Sequence, residues 1–67
     1  MNLLLDIYEL GLTKKSLVAL NKNNIFTIKD LISLTHKDLL TMEGIGESIR
    51  GDIMFCLKKN NLHLGIR

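Results

Sequence analysis

The sequence predicts an all-α fold, a compact bundle of four to five short helices in one domain over residues 1–67. Three observations predict it. A chain of 67 residues is near the lower size at which a single core folds alone. Hydrophobic residues form 46% of the chain and recur mainly at helical spacing. Proline is absent, and two threonines that precede an aspartate by three residues mark helix starts.

The first two helices are expected over residues 3–10 and 14–22. The apolar residues of the first segment fit one helical face, and Gly11 ends it. Thr13 has the side chain of an N-cap for the second helix, which Asn23 and Asn24 close. Both segments are therefore short amphipathic helices.

The next two helix starts resemble each other. TIKD (27–30) and THKD (35–38) each place threonine three residues before aspartate, a variant of the capping box. The acid also suits the positive end of a helix. We expect helices over about 28–34 and 36–41, with Thr35 as the joint between them.

The longest helix is expected over about 47–60. Its apolar face comprises Ile49, Ile53, Cys56 and Leu57, with Met54 beside it. The tail LHLGIR should pack back on the core through its leucines. Cys56 is the single cysteine, and we expect its thiol to be buried. Because no internal disulfide can form, we expect a reducing, cytoplasmic location.

The sequence offers little for catalysis or metal binding. His36 and His63 have no cysteine or second histidine at ligand spacing, so no metal and no cofactor are expected. No nucleophile–base pair is evident, so we expect neither an enzyme nor a small-molecule substrate. The start MNLLLDIYEL lacks a basic region and a cleavage site, and no segment reaches membrane-spanning length, so no membrane partner is expected.

The charge permits nucleic-acid binding without requiring it. The net charge is +2, and the segment from Thr13 to Lys29 carries four lysines and no acid. A partner could recognise this basic segment, although a solvated surface is the commoner explanation of such a charge pattern. Few aromatic residues are present, which argues against base stacking on single strands.

The loop MEGIGESIR (42–50) is the most informative motif. Two helices joined by Gly44-Ile45-Gly46 form a helix–hairpin–helix pattern, in which Ile45 plugs into the core. Glycines permit unusual backbone angles and close approach of a phosphate, and the N–H groups that open the next helix attract anions. The loop therefore turns the chain, and it is a candidate phosphate site.

From Leu10 to Arg67 the chain resembles the C-terminal domain of the bacterial RNA polymerase alpha subunit, a SAM-like helical domain. The matching positions are Leu12, Ser16, Leu20, Ile25, Ile28, Leu31, Thr35, Leu39, Leu40, Gly46, Ile53, Leu62, Leu64 and Gly65. The resemblance implies a non-enzymatic transcription module that binds A·T-rich double-stranded DNA in the minor groove. It also implies contacts with RNA polymerase, sigma factor or an activator, and nucleoid association when DNA is bound.

The resemblance also implies the DNA-contacting positions, which are only partly kept. The family's arginine is Lys15 here, and its asparagine is Val18. Its hairpin lysine and serine are Ser48 and Ile49, and its helix glutamate is Asp52. Weak DNA binding is therefore expected, through the following residues: Lys15, Gly44, Ile45, Gly46, Ser48 and Arg50.

An alternative function is a protein-interaction module that mimics this domain without binding DNA. Val18 and Ile49 replace polar contact residues, and together they would form an apolar patch if both were exposed. On the family's partner-contacting surface, the candidates are His36, Lys37 and Arg67. Exposure of Val18 and Ile49 side by side would distinguish this function from DNA binding.

Overall fold

Helices form the regular structure of residues 2–65, the part of the chain that the computed structural model describes. A 3₁₀ helix (Ile7–Leu10) is followed by α1 (Lys14–Lys22), α2 (Ile28–Ile32), α3 (His36–Thr41) and α4 (Glu47–Lys59). Over residues 2–65, β structure is limited to one antiparallel bridge between Asp6 and Thr27. No helix in this range is long and apolar enough to cross a membrane. The predicted all-α fold is confirmed.

The threonine caps fix where three of the helices begin. Thr13 caps α1, and both expected capping boxes are complete. Oγ1 of Thr27 accepts from the Asp30 N–H at 3.1 Å, and the Asp30 carboxylate accepts from the Thr27 N–H at 3.0 Å. The second box, between Thr35 and Asp38, has the same two bonds at 3.1 and 2.9 Å. Local hydrogen bonding therefore explains why α1, α2 and α3 begin where the sequence predicts.

Two predicted helix bounds were wrong for identifiable reasons. Residues 3–5 are not helical because the carbonyls of Leu3 and Leu5 accept the N–H groups of Lys29 and Ile28, at 2.8 and 2.9 Å. Their backbone thus covers the start of α2 instead of forming a helix of its own. α2 ends at Ile32, two residues earlier than expected, and the Ser33 hydroxyl donates to its last turn.

The core is aliphatic and draws on every helix. Its most deeply buried large side chains are Ile7, Leu20, Ile28, Leu31, Ile32, Leu39, Ile53 and Leu57. Burying each such side chain stabilises the fold by roughly 1.5–3 kcal/mol. The tail packs back as expected, since Leu62 and Leu64 contact the core and the Gly65 N–H donates to the Leu34 carbonyl at 2.7 Å.

Candidate nucleic-acid interface

One glycine and one buried side chain shape the hairpin between α3 and α4. Gly44 has a φ of +81°, the left-handed region that glycine adopts with little strain. The Ile45 N–H donates to the Met42 carbonyl at 3.4 Å, and the Ile45 side chain is buried. The prediction that Ile45 plugs the hairpin into the core is confirmed.

The N-terminus of α4 has no side-chain cap. Its N-cap is Gly46, and the first backbone bond into the helix runs from the Arg50 N–H to the Gly46 carbonyl at 3.0 Å. The N–H groups of the first turn of a helix have no intrahelical acceptor, and the helix dipole adds a partial positive charge there. The dipole and the unpaired N–H groups at this helix end therefore favour an anion, while the carboxylate of Glu47 in the same turn opposes one.

Nothing within the described residues requires glycine at position 46. Its φ of −88° and ψ of −175° are open to any L residue, and an added Cβ would meet no atom within 4 Å. By contrast, Gly44 is required by its positive φ. The bare backbone at Gly46 consequently leaves room on the outside of the hairpin, where a phosphate could approach.

Lysines line the surface beside this hairpin. A shallow hollow of about 190 Å³ is bounded by Lys15, Val18 and Lys22 of α1, by Gly44 of the hairpin, and by neighbouring residues. Glu43 lies on the same rim and offsets part of the lysine charge. The hairpin and the basic face of α1 thus form one continuous surface.

Lys22 and Asn23 belong to this surface, although the sequence analysis did not single them out as site residues. The Asn23 side-chain amide donates to the carbonyls of Ala19 and Glu43, at 2.9 and 3.0 Å. This joins the end of α1 to the hairpin. Lys22 follows Lys15 by seven residues, which is two helical turns, so helical spacing alone would have placed both on one face.

Asp52 of α4 fixes the other end of α1. Its Oδ2 accepts from the Ser16 hydroxyl at 2.6 Å and from the N–H and hydroxyl of Thr13, both at 3.1 Å. The Cys56 thiol donates to the other carboxylate oxygen at 3.8 Å. Ser16 is fully buried, so these bonds hold α1, and Lys15 with it, at a fixed position relative to the hairpin.

Two pKa values follow from this network. Partial burial raises the pKa of Asp52, but the hydrogen bonds from Ser16 and Thr13 outweigh it and hold the value below the usual range. Burial, and then the neighbouring Asp52 charge, raise the pKa of the Cys56 thiol. Asp52 is therefore ionised and Cys56 protonated at neutral pH.

Arg50, which was predicted to act with the hairpin and Lys15, lines a different surface. Arg50 lies in a groove with His36, Leu39 and Leu40, on the α3 side of α4, and it does not line the hollow that contains Lys15. Glu47, the first residue of α4, lines the same groove and not the hollow that contains Lys15. Ser48 is exposed in the first turn of α4.

The expected apolar patch does not form as a pair of exposed side chains. Val18 is 44% exposed, but Ile49 is 8% exposed and belongs to the core. Ile49 faces inward because it lies four residues before Ile53 on the buried side of α4. His36 and Lys37 are exposed at the start of α3, and Arg67 lies outside the described residues.

The helical fold and the glycine hairpin define a small all-α domain of the helix–hairpin–helix type. The family model for the C-terminal domain of the bacterial RNA polymerase alpha chain matches residues 1–59. The chain belongs to this family, and it is a transcription-related module.

One relative is the DNA-directed RNA polymerase subunit alpha of Carsonella ruddii (strain PV). It is 36% identical over 59 residues, which cover 88% of this chain and 18% of the relative. The chain thus spans less than a fifth of that subunit's length. The resemblance inferred from the sequence motifs is confirmed by both comparisons.

Proposed function

We propose that this domain binds A·T-rich double-stranded DNA weakly, through the hairpin and the basic face of α1. The observation that carries the proposal is the uncapped N-terminus of α4 beside Lys15 and Lys22. Backbone N–H groups of Gly44 and Gly46 would hold one phosphate, with the Ser48 hydroxyl beside them, while the Ile45 N–H stays on the Met42 carbonyl. The two lysines would contact the backbone of the same duplex.

The charge of this surface limits the affinity. Glu43 opposes the two lysines, and Lys15 presents a point charge without the planar donor fork of an arginine. Val18 cannot donate a hydrogen bond to a base. We therefore expect binding on the order of micromolar or weaker at physiological salt, with little dependence on sequence.

An amide NMR titration of the labelled domain tests the proposal. A short A·T-rich duplex is added at low salt and then near physiological salt. We expect shifts at residues 44–48 and around Lys15 and Lys22, which fade as salt rises. The absence of shifts at low salt would refute DNA binding.

Matched charge variants locate the surface. Lys15→Gln with Lys22→Gln should weaken binding and reduce the salt slope by roughly one for each phosphate that the variant no longer neutralises. The control is Lys58→Gln with Lys59→Gln, which removes the same charge at the far end of α4. An equal weakening in both pairs would indicate attraction by net charge alone and would contradict a defined site.

A second candidate function is contact with RNA polymerase, sigma factor or an activator. The exposed start of α3 favours it, because His36 and Lys37 project there from a helix fixed by a complete capping box. Arg67 and Val18 remain candidates for such contacts. Binding to purified polymerase that is abolished in a His36→Ala, Lys37→Ala variant would support this function, while unchanged binding would contradict it.

We further propose that residues 1–67 act as one non-enzymatic unit in the cytoplasm, at the nucleoid when DNA is bound. Family membership supports this, because the matching model describes a domain of a DNA-transcribing complex. Co-localisation of a tagged chain with the nucleoid, and its loss in the double lysine variant, would test the cellular site.

A further inference from the structure

Two apolar hollows flank α4, one on the side of α3 and one on the side of the residues that follow α4. One hollow of about 310 Å³ includes His36, Leu40, Arg50, Gly51 and Met54 in its lining. A second hollow of about 490 Å³ is lined by Met54, Phe55, Lys58, Asn61 and His63. Because Met54 borders both hollows, they form one continuous surface, which we call the α3–α4 groove.

Large apolar side chains in this groove are left in water. Leu40 is 62% exposed and Phe55 is 67% exposed, while Met54 between them is partly buried against the core. Single exposed apolar residues are normal, but neighbouring ones around a concave surface mark a contact site. Methionine at the centre adds a side chain that adapts to different partner shapes.

Gly51 provides an independent sign that the groove is used. It lies in the interior of α4, where glycine destabilises a helix relative to alanine. Its φ is not positive, and an added Cβ would meet no atom within 4 Å, so no contact among the described residues requires it. It lines the groove next to Leu39 and Leu40, and the missing side chain deepens the groove at that point.

The rim of the groove indicates the charge of its occupant. Arg50 and Lys58 are cationic, His36 and His63 stand beside them, and Glu47 is the one acid among the residues that line the two hollows. A second copy of the same face would bring these cations against each other, which disfavours self-association. An acidic partner would be attracted.

We propose that the α3–α4 groove binds an acidic amphipathic helix of a partner protein, with large apolar side chains seated in the two hollows. Two hollows that share Met54 suit apolar anchors one helical turn apart, the usual helix-in-groove arrangement. The groove shares His36 with the candidate partner surface, but Leu40, Met54 and Phe55 are not among the partner-contacting residues that the family resemblance implies. The proposal does not depend on DNA binding, which uses the other side of α4.

A displayed library of random 16-residue peptides, selected on the folded domain, provides the probe. Enriched peptides should combine acidic residues with large apolar residues at i and i+4. When an enriched peptide is added to the labelled domain, the amide signals of residues 36, 40, 50, 51, 54, 55 and 58 should shift. Phe55→Ser should weaken their binding by about tenfold or more, as expected for a buried aromatic anchor.

Tyr8→Ser is the matched control, because Tyr8 is an equally exposed aromatic residue (71%) outside the groove. It should bind the enriched peptides like the parent. Gly51→Leu should also weaken binding while leaving the fold intact. Gly51→Ala should raise the urea midpoint of unfolding, because alanine stabilises a helix interior relative to glycine and only the partner requires a missing side chain at this position.

Several results would overturn the proposal. They are failure to enrich any peptide, enrichment of basic peptides, and equal weakening by Phe55→Ser and Tyr8→Ser. Phe55-dependent dimerisation in sedimentation, or Phe55-dependent binding to anionic vesicles, would assign the groove to a second copy or to a membrane instead. A duplex titration that shifts the amides of Leu40, Met54 and Phe55 would assign the groove to DNA. If the duplex causes no shifts at the hairpin while the selected peptides still bind the groove, the proposed function is refuted and this inference stands.

Discussion

The N-termini of the four α-helices are built in two different ways. α1, α2 and α3 each begin at a threonine whose hydroxyl accepts an N–H of the first turn. α2 is covered further by the carbonyls of Leu3 and Leu5. α4, the longest helix, begins at Gly46 with no side-chain acceptor.

The difference separates stability from function. A capped helix end is satisfied within the chain and has little left to offer a ligand. The uncapped end of α4 stands beside the basic face of α1, where an external acceptor can take the same role. Substitutions that cap or uncap these ends should therefore act on stability at three sites and on binding at the fourth.

The largest effect is expected at Asp52, which anchors the start of α1. Asp52→Ala removes the acceptor for Ser16 and Thr13 and should lower the free energy of unfolding by about 2–3 kcal/mol. Urea unfolding followed by circular dichroism measures it. Asp52→Asn, which keeps one acceptor oxygen, should lower the free energy of unfolding by less. Lys58→Ala, at an exposed position, should change it little. A loss no greater than that of Lys58→Ala would contradict the anchoring role.

Acid should weaken the hydrogen bonds to two carboxylates, Asp52, which anchors the start of α1, and Asp30 in the capping box of α2. Hydrogen bonds from the Thr27 and Phe26 backbone lower the pKa of Asp30, and those from Ser16 and Thr13 lower that of Asp52 against the effect of burial. Because both folded pKa values lie below the ordinary 3.8, the stabilisation is complete from about pH 5 upward. It is lost as the pH falls through the lower folded values.

Urea midpoints measured between pH 7 and pH 2 test this pH dependence. They should stay level to about pH 5 and then fall. The Asp30→Asn, Asp52→Asn double variant should show a shallower fall than the parent. Identical profiles would contradict the assignment to these two carboxyl groups.

A smaller loss is expected at a single cap. Thr35→Ala opens the capping box of α3 and should cost about 1 kcal/mol of unfolding free energy. Thr35→Ser should restore most of it, because serine presents the same hydroxyl. If both variants are equally unstable, the methyl group of Thr35 rather than its hydroxyl matters at this position.

The smallest change in stability, with the opposite sign, is expected at the uncapped end. Gly46→Ser fits the extended backbone there and supplies a cap, so it should stabilise the domain by a few tenths of a kcal/mol. The new hydroxyl competes for the N–H groups that are proposed to hold a phosphate, so duplex binding in the NMR titration should weaken. Stabilisation with unchanged duplex binding would place the DNA contact elsewhere.

The sequence predicted the features that depend on near neighbours. The caps at Thr13, Thr27 and Thr35, and the plug at Ile45, rest on spacings of a few residues and are confirmed. The α1–α4 anchor at Asp52 joins residues 36 or more apart, and nothing local to Asp52 indicates its partners.

The same limit applies to the positions of Arg50 and Ile49 on α4. Helical spacing could not decide which side of the helix would face α3, so Arg50 was grouped with Lys15 although it lines the other groove. Similarly, Ile49 occupies a position where the family has a polar contact residue, yet its side chain is buried. Its spacing from Ile53 was the better guide.

The buried thiol of Cys56 is a built-in probe of how often the core of the domain opens. It is 4% exposed, it donates to Asp52, and its raised pKa keeps it protonated at neutral pH. Since the thiolate is the form that attacks alkylating reagents, modification requires an opening of the core that exposes Cys56. With one cysteine in the chain, the rate of labelling reads out how often that opening occurs, with no introduced probe.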